Sequence, residues 1–218
     1  MNTSSYQLEQ AESLSVIHRF LRALSNDQRQ YLVDLCADYM LFRGEVDLYL
    51  MAHFSDICAQ SCYMSRRSAC CSREGIVTFF ADMVINALYA SGEEVARLFS
   101  VLKETGKPGK CIYLGEHGCL WKVKPIVCQM FLCDRAKTQV FDIKPFLRKE
   151  WERLERCRKM FTWPDQPVLF DVLEEIFIDA GITSPLMYLH NSPGLLRIKE
   201  EAGLRADKLT VRTRRHEG

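Results

Sequence analysis

The sequence predicts a mainly α-helical protein: an irregular helical domain with a cysteine-rich, metal-organised loop region. Three observations lead to this prediction. Apolar residues recur at helical spacing along most of the chain. That spacing fails from Thr105 to about Asp134, where glycine and proline are frequent. Eight of the ten cysteines lie between residues 58 and 133. With 218 residues, 48% of them hydrophobic, the chain can bury an ordinary core, so we expect a single domain over 1–218.

Two helices are predicted at the N-terminus, forming a hairpin over about 9–45. Their inward-facing residues are Leu14, Ile17, Leu21 and Leu24 in the first helix and Leu32, Leu35, Cys36 and Tyr39 in the second. Asn26 and Asp27 are the candidates for capping the second helix. Because Cys36 lies on an apolar stripe, we expect it to behave as a small buried hydrophobe.

Two more helices are predicted before the irregular segment. The stretch "GIVTFFADMVINALYA", residues 75–90, has a broad apolar stripe and should be a buried helix. Ser91 and Glu94 have the spacing of a capping box and should open the next helix, with Gly106 as its stop. The inward-facing residues of this helix are Val95, Leu98, Phe99 and Leu102.

C-terminal helices are predicted over about 142–203. The apolar residues with helical spacing are Ile143, Phe146, Leu147, Trp151, Leu154, Cys157 and Met160, followed by Leu169, Val172, Leu173 and Ile176 before Gly181. Cys157, like Cys36, is expected in the core. A short last helix is predicted at Ser192 and Pro193, and the basic residues after it are expected to form a solvated tail.

Charge and hydropathy limit the classes of function. The 29 Lys and Arg nearly balance the 28 Asp and Glu, so binding to nucleic acid is not expected. No apolar run is long enough to span a bilayer, and the N-terminus does not read as a secretion signal. We therefore expect a cytoplasmic protein without a membrane partner. In a reducing cytosol, clustered cysteines are more often metal ligands or catalytic than disulfides.

The clustered cysteines form two groups, and all eight are candidate metal ligands and cofactor-binding residues. The groups are Cys58, Cys62, Cys70 and Cys71, and then Cys111, Cys119, Cys128 and Cys133. Cys58 and Cys62 are four residues apart, which places both thiols on one face of a helix. Cys70 and Cys71 are adjacent, so they bind one centre only in a tight turn, or else take separate roles.

Thiolate ligands suit tetrahedral zinc and iron–sulfur clusters equally well. More than four clustered cysteines, including an adjacent pair, favour an iron–sulfur cluster, although two zinc sites would also use all eight. There are two alternatives to metal binding by these eight cysteines: they form four disulfides, or they are unliganded free thiols. Disulfides are disfavoured in a cytosolic chain, and most of these cysteines lie beside Gly, Pro, Ser or charged residues rather than on apolar stripes. No C-x-x-C spacing is present, which argues against a thiol–disulfide oxidoreductase.

Residues 54–135 resemble the YkgJ-type family, which is described by a C-x2-C-x3-C-C motif and regarded as zinc- or iron-chelating. The matching positions are Cys111, Gly118 and Cys119, then "KPIVC" ending at Cys128 and "CQMFLC" ending at Cys133, with Phe131 at the family's aromatic position. The first group reads C-x3-C-x7-C-C instead, and Lys124 and Gln129 stand where the family has arginines. The resemblance implies a metal site without a settled reaction.

Two functional hypotheses of different class follow. In the first, the protein carries an iron–sulfur cluster with a redox or enzymatic role and acts on a small substrate or a protein partner. In the second, zinc is structural and the protein is a module for protein–protein interaction. His117 is expected to be a solvated loop histidine, and Arg66, Arg67 and Arg73 to offset the charge of the thiolates. No pattern of catalytic residues is recognised, so none is assigned.

Overall fold

The computed structural model describes residues 5–60, 64, 71, 78–104, 109–162 and 168–187. Within these ranges the protein is mainly α-helical, as predicted. The helices are α1 Ser5–Ala23, α2 Asn26–Leu35, α3 Ala37–Cys58, α4 Phe80–Tyr89, α5 Gly92–Leu102, α6 Ile126–Gln129, α7 Asp134–Phe141, α8 Pro145–Thr162 and α9 Leu169–Asp179, followed by a 3-10 turn, Pro185–Met187. The strands β1 Leu114–Gly115 and β2 Gly118–Cys119 form a small antiparallel hairpin. Buried side chains from the helices and from the cysteine segment, residues 109–133, form one hydrophobic core.

The N-terminal hairpin is present, with a different cap and a break that the sequence did not predict. The cap of α2 is Ser25 rather than Asn26 or Asp27, because the Ser25 hydroxyl accepts from the Gln28 N–H while the Gln28 side chain accepts from the Ser25 N–H. The predicted second helix is interrupted at Cys36, which ends α2 and caps α3. Cys36 is fully buried, as predicted, and burial raises the pKa of its thiol to about 12.

Helix α3 is longer than the hairpin prediction, which ended near residue 45, because its second half has partners later in the chain. The Tyr49 hydroxyl donates to the carbonyl of Leu147 (2.7 Å), and its ring stacks on Trp151. Phe54 meets Phe141 edge to face. Long-range packing against α7 and α8 therefore sets the length of α3.

Helix α4 lies at the centre of the fold and packs against α1 and α9. Every side chain from Phe80 to Leu88 is buried, which confirms the prediction of a buried helix. Two of these buried side chains, Asp82 and Asn86, are polar and lie one turn apart. Buried polar groups require hydrogen-bond partners, and one oxygen of each side chain accepts from a backbone N–H of the cysteine segment.

Helix α5 begins as predicted. The Ser91 hydroxyl accepts from the Glu94 N–H (3.2 Å), and the Glu94 carboxylate accepts from the Ser91 N–H (2.7 Å). Its inward face is also as predicted: Val95, Leu98 and Leu102 are buried, and Phe99 is half-buried. The predicted stop at Gly106 lies outside the described residues.

The C-terminal region confirms the helices but corrects part of the predicted apolar face. In α8, Leu147, Trp151 and Leu154 are buried and Cys157 is half-buried. The exposed members of the predicted set are Ile143 (76%), Phe146 (65%) and Met160 (60%). A stripe that included them was too wide, because only one side of α8 faces its neighbours. The predicted helix at Ser192 and the basic tail lie outside the described residues.

Among the described helices, none combines the length and the apolar character needed to cross a membrane.

Candidate metal centre

The cysteine segment, residues 109–133, owes much of its order to the protein core. Its side chains buried in that core are Tyr113, Trp121, Val123, Ile126, Met130 and Leu132. These residues have no regular period, so the sequence did not identify them as a hydrophobic face. The prediction that a metal organises this region is not supported, because apolar burial and polar contacts already organise it.

Three buried side chains, Arg43, Asp82 and Asn86, hold the backbone of this segment, and we call them the polar clamp. The Asn86 Oδ1 atom accepts from the N–H of Val123 (2.9 Å). The Asp82 Oδ1 atom accepts from the N–H of Ile126 (3.0 Å). The Arg43 guanidinium donates to the carbonyl of Lys124 (2.6 Å). The clamp fixes the turn that leads into α6, which contains Cys128.

The environment of Asp82 is unusual for a carboxyl group. Burial raises its pKa to about 7, while Arg43 and the two N–H groups of Ile126 and Phe79 act in the opposite direction. The sequence analysis missed Asp82 and Asn86. The signal that could have identified them is the position of two polar residues, one turn apart, in an otherwise apolar buried helix.

One residue of the first cysteine group contacts one residue of the second through the backbone. The backbone N–H of Cys111 donates to the carbonyl of Cys71 (2.8 Å), which joins residues forty positions apart. The N–H of Tyr113 approaches the Cys111 sulfur (3.4 Å). Burial raises the pKa of the Cys111 thiol to about 11; the Tyr113 N–H opposes this rise, and the charge of Cys119 adds to it. The Cys119 thiol is therefore close enough to Cys111 for its charge to affect the pKa of the Cys111 thiol.

Cys119 and Cys128 complete the local arrangement. Cys119 ends the β-hairpin, directly opposite Leu114. Burial raises the pKa of its thiol, and the Trp121 N–H and the Lys124 ammonium lower it. Burial raises the pKa of the Tyr6 hydroxyl most, the nearby Thr78 hydroxyl lowers it, and the charges of Cys111 and Cys128 raise it further. The thiols of Cys111 and Cys128 thus lie within electrostatic reach of the Tyr6 hydroxyl, in the first turn of α1.

The other predicted ligands are placed differently. Cys58 is exposed at the last residue of α3, and Cys133 is exposed at the N-cap of α7. Cys62 and Cys70 lie outside the described residues, as do Arg66, Arg67 and Arg73. His117 is exposed, as expected. In the described ranges, no three Cys, His, Asp or Glu side chains are grouped so as to hold a metal ion.

Four buried hydrogen-bond donors in or next to the cysteine segment form no well-aligned hydrogen bond with the described residues. They are the Tyr6 hydroxyl, the Gln10 Nε2 amide, the Thr78 hydroxyl and the Trp121 indole Nε1, and we call them the donor ring. Tyr113 links two of its members, because its hydroxyl donates to the Gln10 Oε1 atom (3.0 Å) and its ring meets the Trp121 ring edge to face. Buried donors lacking an acceptor suit an anionic group.

Comparison with known proteins adds no assignment: no family model, no curated protein and no solved structure matches this chain. Function is therefore inferred from the thiols, the polar clamp and the donor ring.

Proposed function

We propose that this protein binds an iron–sulfur cluster through cysteine thiolates and uses it in a redox or enzymatic role. The observation that supports the proposal is the backbone contact between one cysteine of each group. Cys71 from the first group is hydrogen-bonded to Cys111 from the second, and Cys119 and Cys128 lie in the electrostatic environment of Cys111 and of Tyr6, respectively. The YkgJ-type resemblance, which stays a prediction, implies the same ligands.

A functional cluster is favoured over structural zinc because the segment already has other sources of order. A structural zinc site contributes most where a chain cannot otherwise fold. Here the polar clamp and the buried side chains Tyr113 and Trp121 fix the segment. The thiols of Cys71, Cys111, Cys119 and Cys128 are also half-buried rather than sealed, so a bound group would stay within reach of a reductant or a small substrate. A protein partner would serve equally well as the source or acceptor of electrons.

The residues of the chain have separate roles in this proposal. The cluster, when bound, supplies one-electron transfer or an open iron for a substrate. The thiols must lose their protons to bind it, and the raised pKa of Cys111 makes this proton release part of loading. Lys124 lies near Cys119 and offsets the negative charge of the loaded site. The clamp holds Cys128 in position through the backbone of Val123 and Ile126.

The test is anaerobic purification, followed by an absorption spectrum and analysis of iron, zinc and acid-labile sulfide. We expect a brown protein with iron and sulfide in equal amounts, and loss of both in Cys111→Ser and Cys128→Ser. Cys157→Ser is the matched control, because Cys157 is a half-buried thiol in α8, and this variant should keep the cluster. Zinc alone in a colourless sample would replace this proposal with the structural zinc module. A folded, metal-free protein would contradict both.

A further inference from the structure

We infer that the exposed face of α3 binds the same face of a second copy of this chain, as an antiparallel pair of helices about a twofold axis. The residues of this face are Leu41, Gly44, Leu48 and Met51, and we call them the α3 seam. The seam lies outside the cysteine segment, so the inference does not depend on a bound cluster.

The seam is apolar and open to solvent. Leu41 is 74% exposed, Leu48 is 69% exposed and Met51 is 67% exposed. With Gly44 included, the spacing alternates between three and four residues, which is the spacing of a helix–helix contact. Helix α3 therefore has two apolar faces, and the part of the chain that the structure describes covers only one of them. The residues of the covered face are Tyr39, Phe42, Val46, Tyr49 and Phe54.

Gly44 lies in the middle of α3 without a packing reason inside the chain. Glycine in the interior of a helix is unfavourable. A Cβ atom at this position would meet no described atom within 4 Å, so α3 does not need a glycine to pack against its own neighbours. A helix that approaches from outside does need one, because a residue without a Cβ atom lets two helix backbones come close.

The order of residues in the seam is self-complementary. A twofold axis requires that two residues in contact across it meet again in the reciprocal contact. The middle of the seam is at the level of Val46. With the axis there, Leu41 faces Met51 of the second copy. By the same symmetry Gly44 faces Leu48, so each leucine fills the space beside a glycine. This match favours a second copy over an unrelated helix.

The charges beside the seam are compatible with its meeting a copy of itself. At one edge, Glu45 forms an ion pair with Arg153 of α8, so each copy brings a neutral pair to this edge rather than a single charge. At the other edge, the Asp47 carboxylate accepts from the Gln129 amide of α6, which holds it on the side of α6. Like charges are therefore not forced together over the seam.

The available area is of the size that a dimer needs. Helix α3 has 22 residues and packs beside α8, so this layer is about 33 Å long and about 20 Å wide. It offers about 660 Å² on each copy, against about 800 Å² per partner in a standard stable interface. The layer is therefore large enough for a dimer that forms at micromolar concentration.

The test is sedimentation velocity of the full chain, anaerobically and with a thiol reductant, over a range of concentrations. We expect twice the chain mass of 25.3 kDa at high concentration and dissociation on dilution. Leu48→Asp should raise the dissociation constant of the dimer about 100-fold or more, because it places a charge at the centre of the interface. Leu8→Asp is the matched control: Leu8 is an exposed leucine of α1 (59%), and the dimer should be unchanged.

Gly44→Ala separates the interface from the fold of the chain. Alanine favours the helix and has free space in the single chain, so the monomer should be at least as stable to denaturant as the wild type. The dimer should be weaker, because the added methyl group meets Leu48 of the second copy. A dimer of unchanged strength would overturn the inference.

Photo-crosslinking tests the direction of the two helices. A p-benzoylphenylalanine at position 41 should crosslink to Met51 of the second copy, as identified by mass spectrometry. A crosslink to position 41 itself would show a parallel pair and overturn the inference. A wild-type protein that stays monomeric at about 100 μM, where a micromolar dimer is nearly complete, would also overturn it. So would a dimer that Leu48→Asp leaves intact.

Discussion

Helix α5 and the cysteine segment are both well packed, but their order has different sources. In α5 the signals are local: Ser91 caps the helix through Glu94, three residues away, and the buried residues recur at helical spacing. In the cysteine segment the main-chain partners are Arg43, Asp82 and Asn86, which lie 37 to 81 positions earlier in the chain. Local order can be predicted from a sequence without a structure, whereas order imposed by distant polar partners cannot. The variants below separate these two kinds of order.

The largest decrease in the free energy of unfolding is expected for Arg43→Met. This change removes the hydrogen bonds to the Lys124 carbonyl and the Tyr39 hydroxyl, together with the cation that opposes the burial of Asp82. A hydrogen bond to a charged group contributes about 1.5–3 kcal/mol, so the loss of both should cost at least about 3 kcal/mol. Chemical denaturation should show this loss in the free energy of unfolding. A loss below about 1 kcal/mol, at the level of an exposed ion pair, would show that Arg43 does not hold the segment.

A smaller and more localised effect is expected from Asn86→Ala. The N–H of Val123 would lose its acceptor inside the core, at a cost of about 1–3 kcal/mol. Hydrogen exchange should show faster exchange at Val123 and its neighbours than in the wild-type protein, with little change in α5. Uniformly faster exchange in both regions would contradict the local role of the clamp.

The pH dependence of stability tests Asp82. Its pKa of about 7 in the folded protein exceeds the usual value of 3.8, so between these pH values the folded state keeps a proton that the unfolded state has lost. The contribution of Asp82 to the free energy of unfolding is therefore highest at pH 4 and below, falls as the pH rises to 7, and then levels off. The slope is at most about 1.4 kcal/mol per pH unit. Denaturation of wild type and Asp82→Asn across this range should show the slope in the wild type alone; equal slopes would refute the assignment.

The smallest effect is expected from Ser91→Ala, at about 1 kcal/mol, because it removes a helix cap and nothing else. The cysteine segment should keep its hydrogen-exchange protection, since its main-chain partners lie elsewhere. If this variant released the segment as strongly as Asn86→Ala does, the two regions would share one source of order.

The sequence predicted most of the fold where burial follows a period. Leu14, Ile17 and Leu21 in α1 and the capping box at Ser91 are examples, because periodicity and capping act over a few residues. The prediction failed where the length of a helix or the burial of a side chain depends on packing against residues distant in the chain. The length of α3 depends on Trp151, and the exposure of Phe146 depends on which side of α8 is covered.

For the candidate site, the sequence supplied the cysteines but not their surroundings. Nothing local indicates that the carbonyl of Cys71 meets the N–H of Cys111, because this contact depends on how the intervening helices pack. The donor ring was likewise not predicted: Tyr6 and Thr78 are ordinary residues in the sequence, and only burial without acceptors makes them notable. Ligation by the eight cysteines stays a prediction.

The most direct test of the cluster is a Mössbauer spectrum of protein produced with iron-57 and purified without oxygen. The proposed function predicts the quadrupole doublets of iron in tetrahedral sulfur coordination, with acid-labile sulfide in an amount that matches the iron. It also predicts that these doublets are lost in Cys111→Ser. The absence of iron in a folded protein, or iron with the spectrum of oxygen and nitrogen coordination, would contradict it.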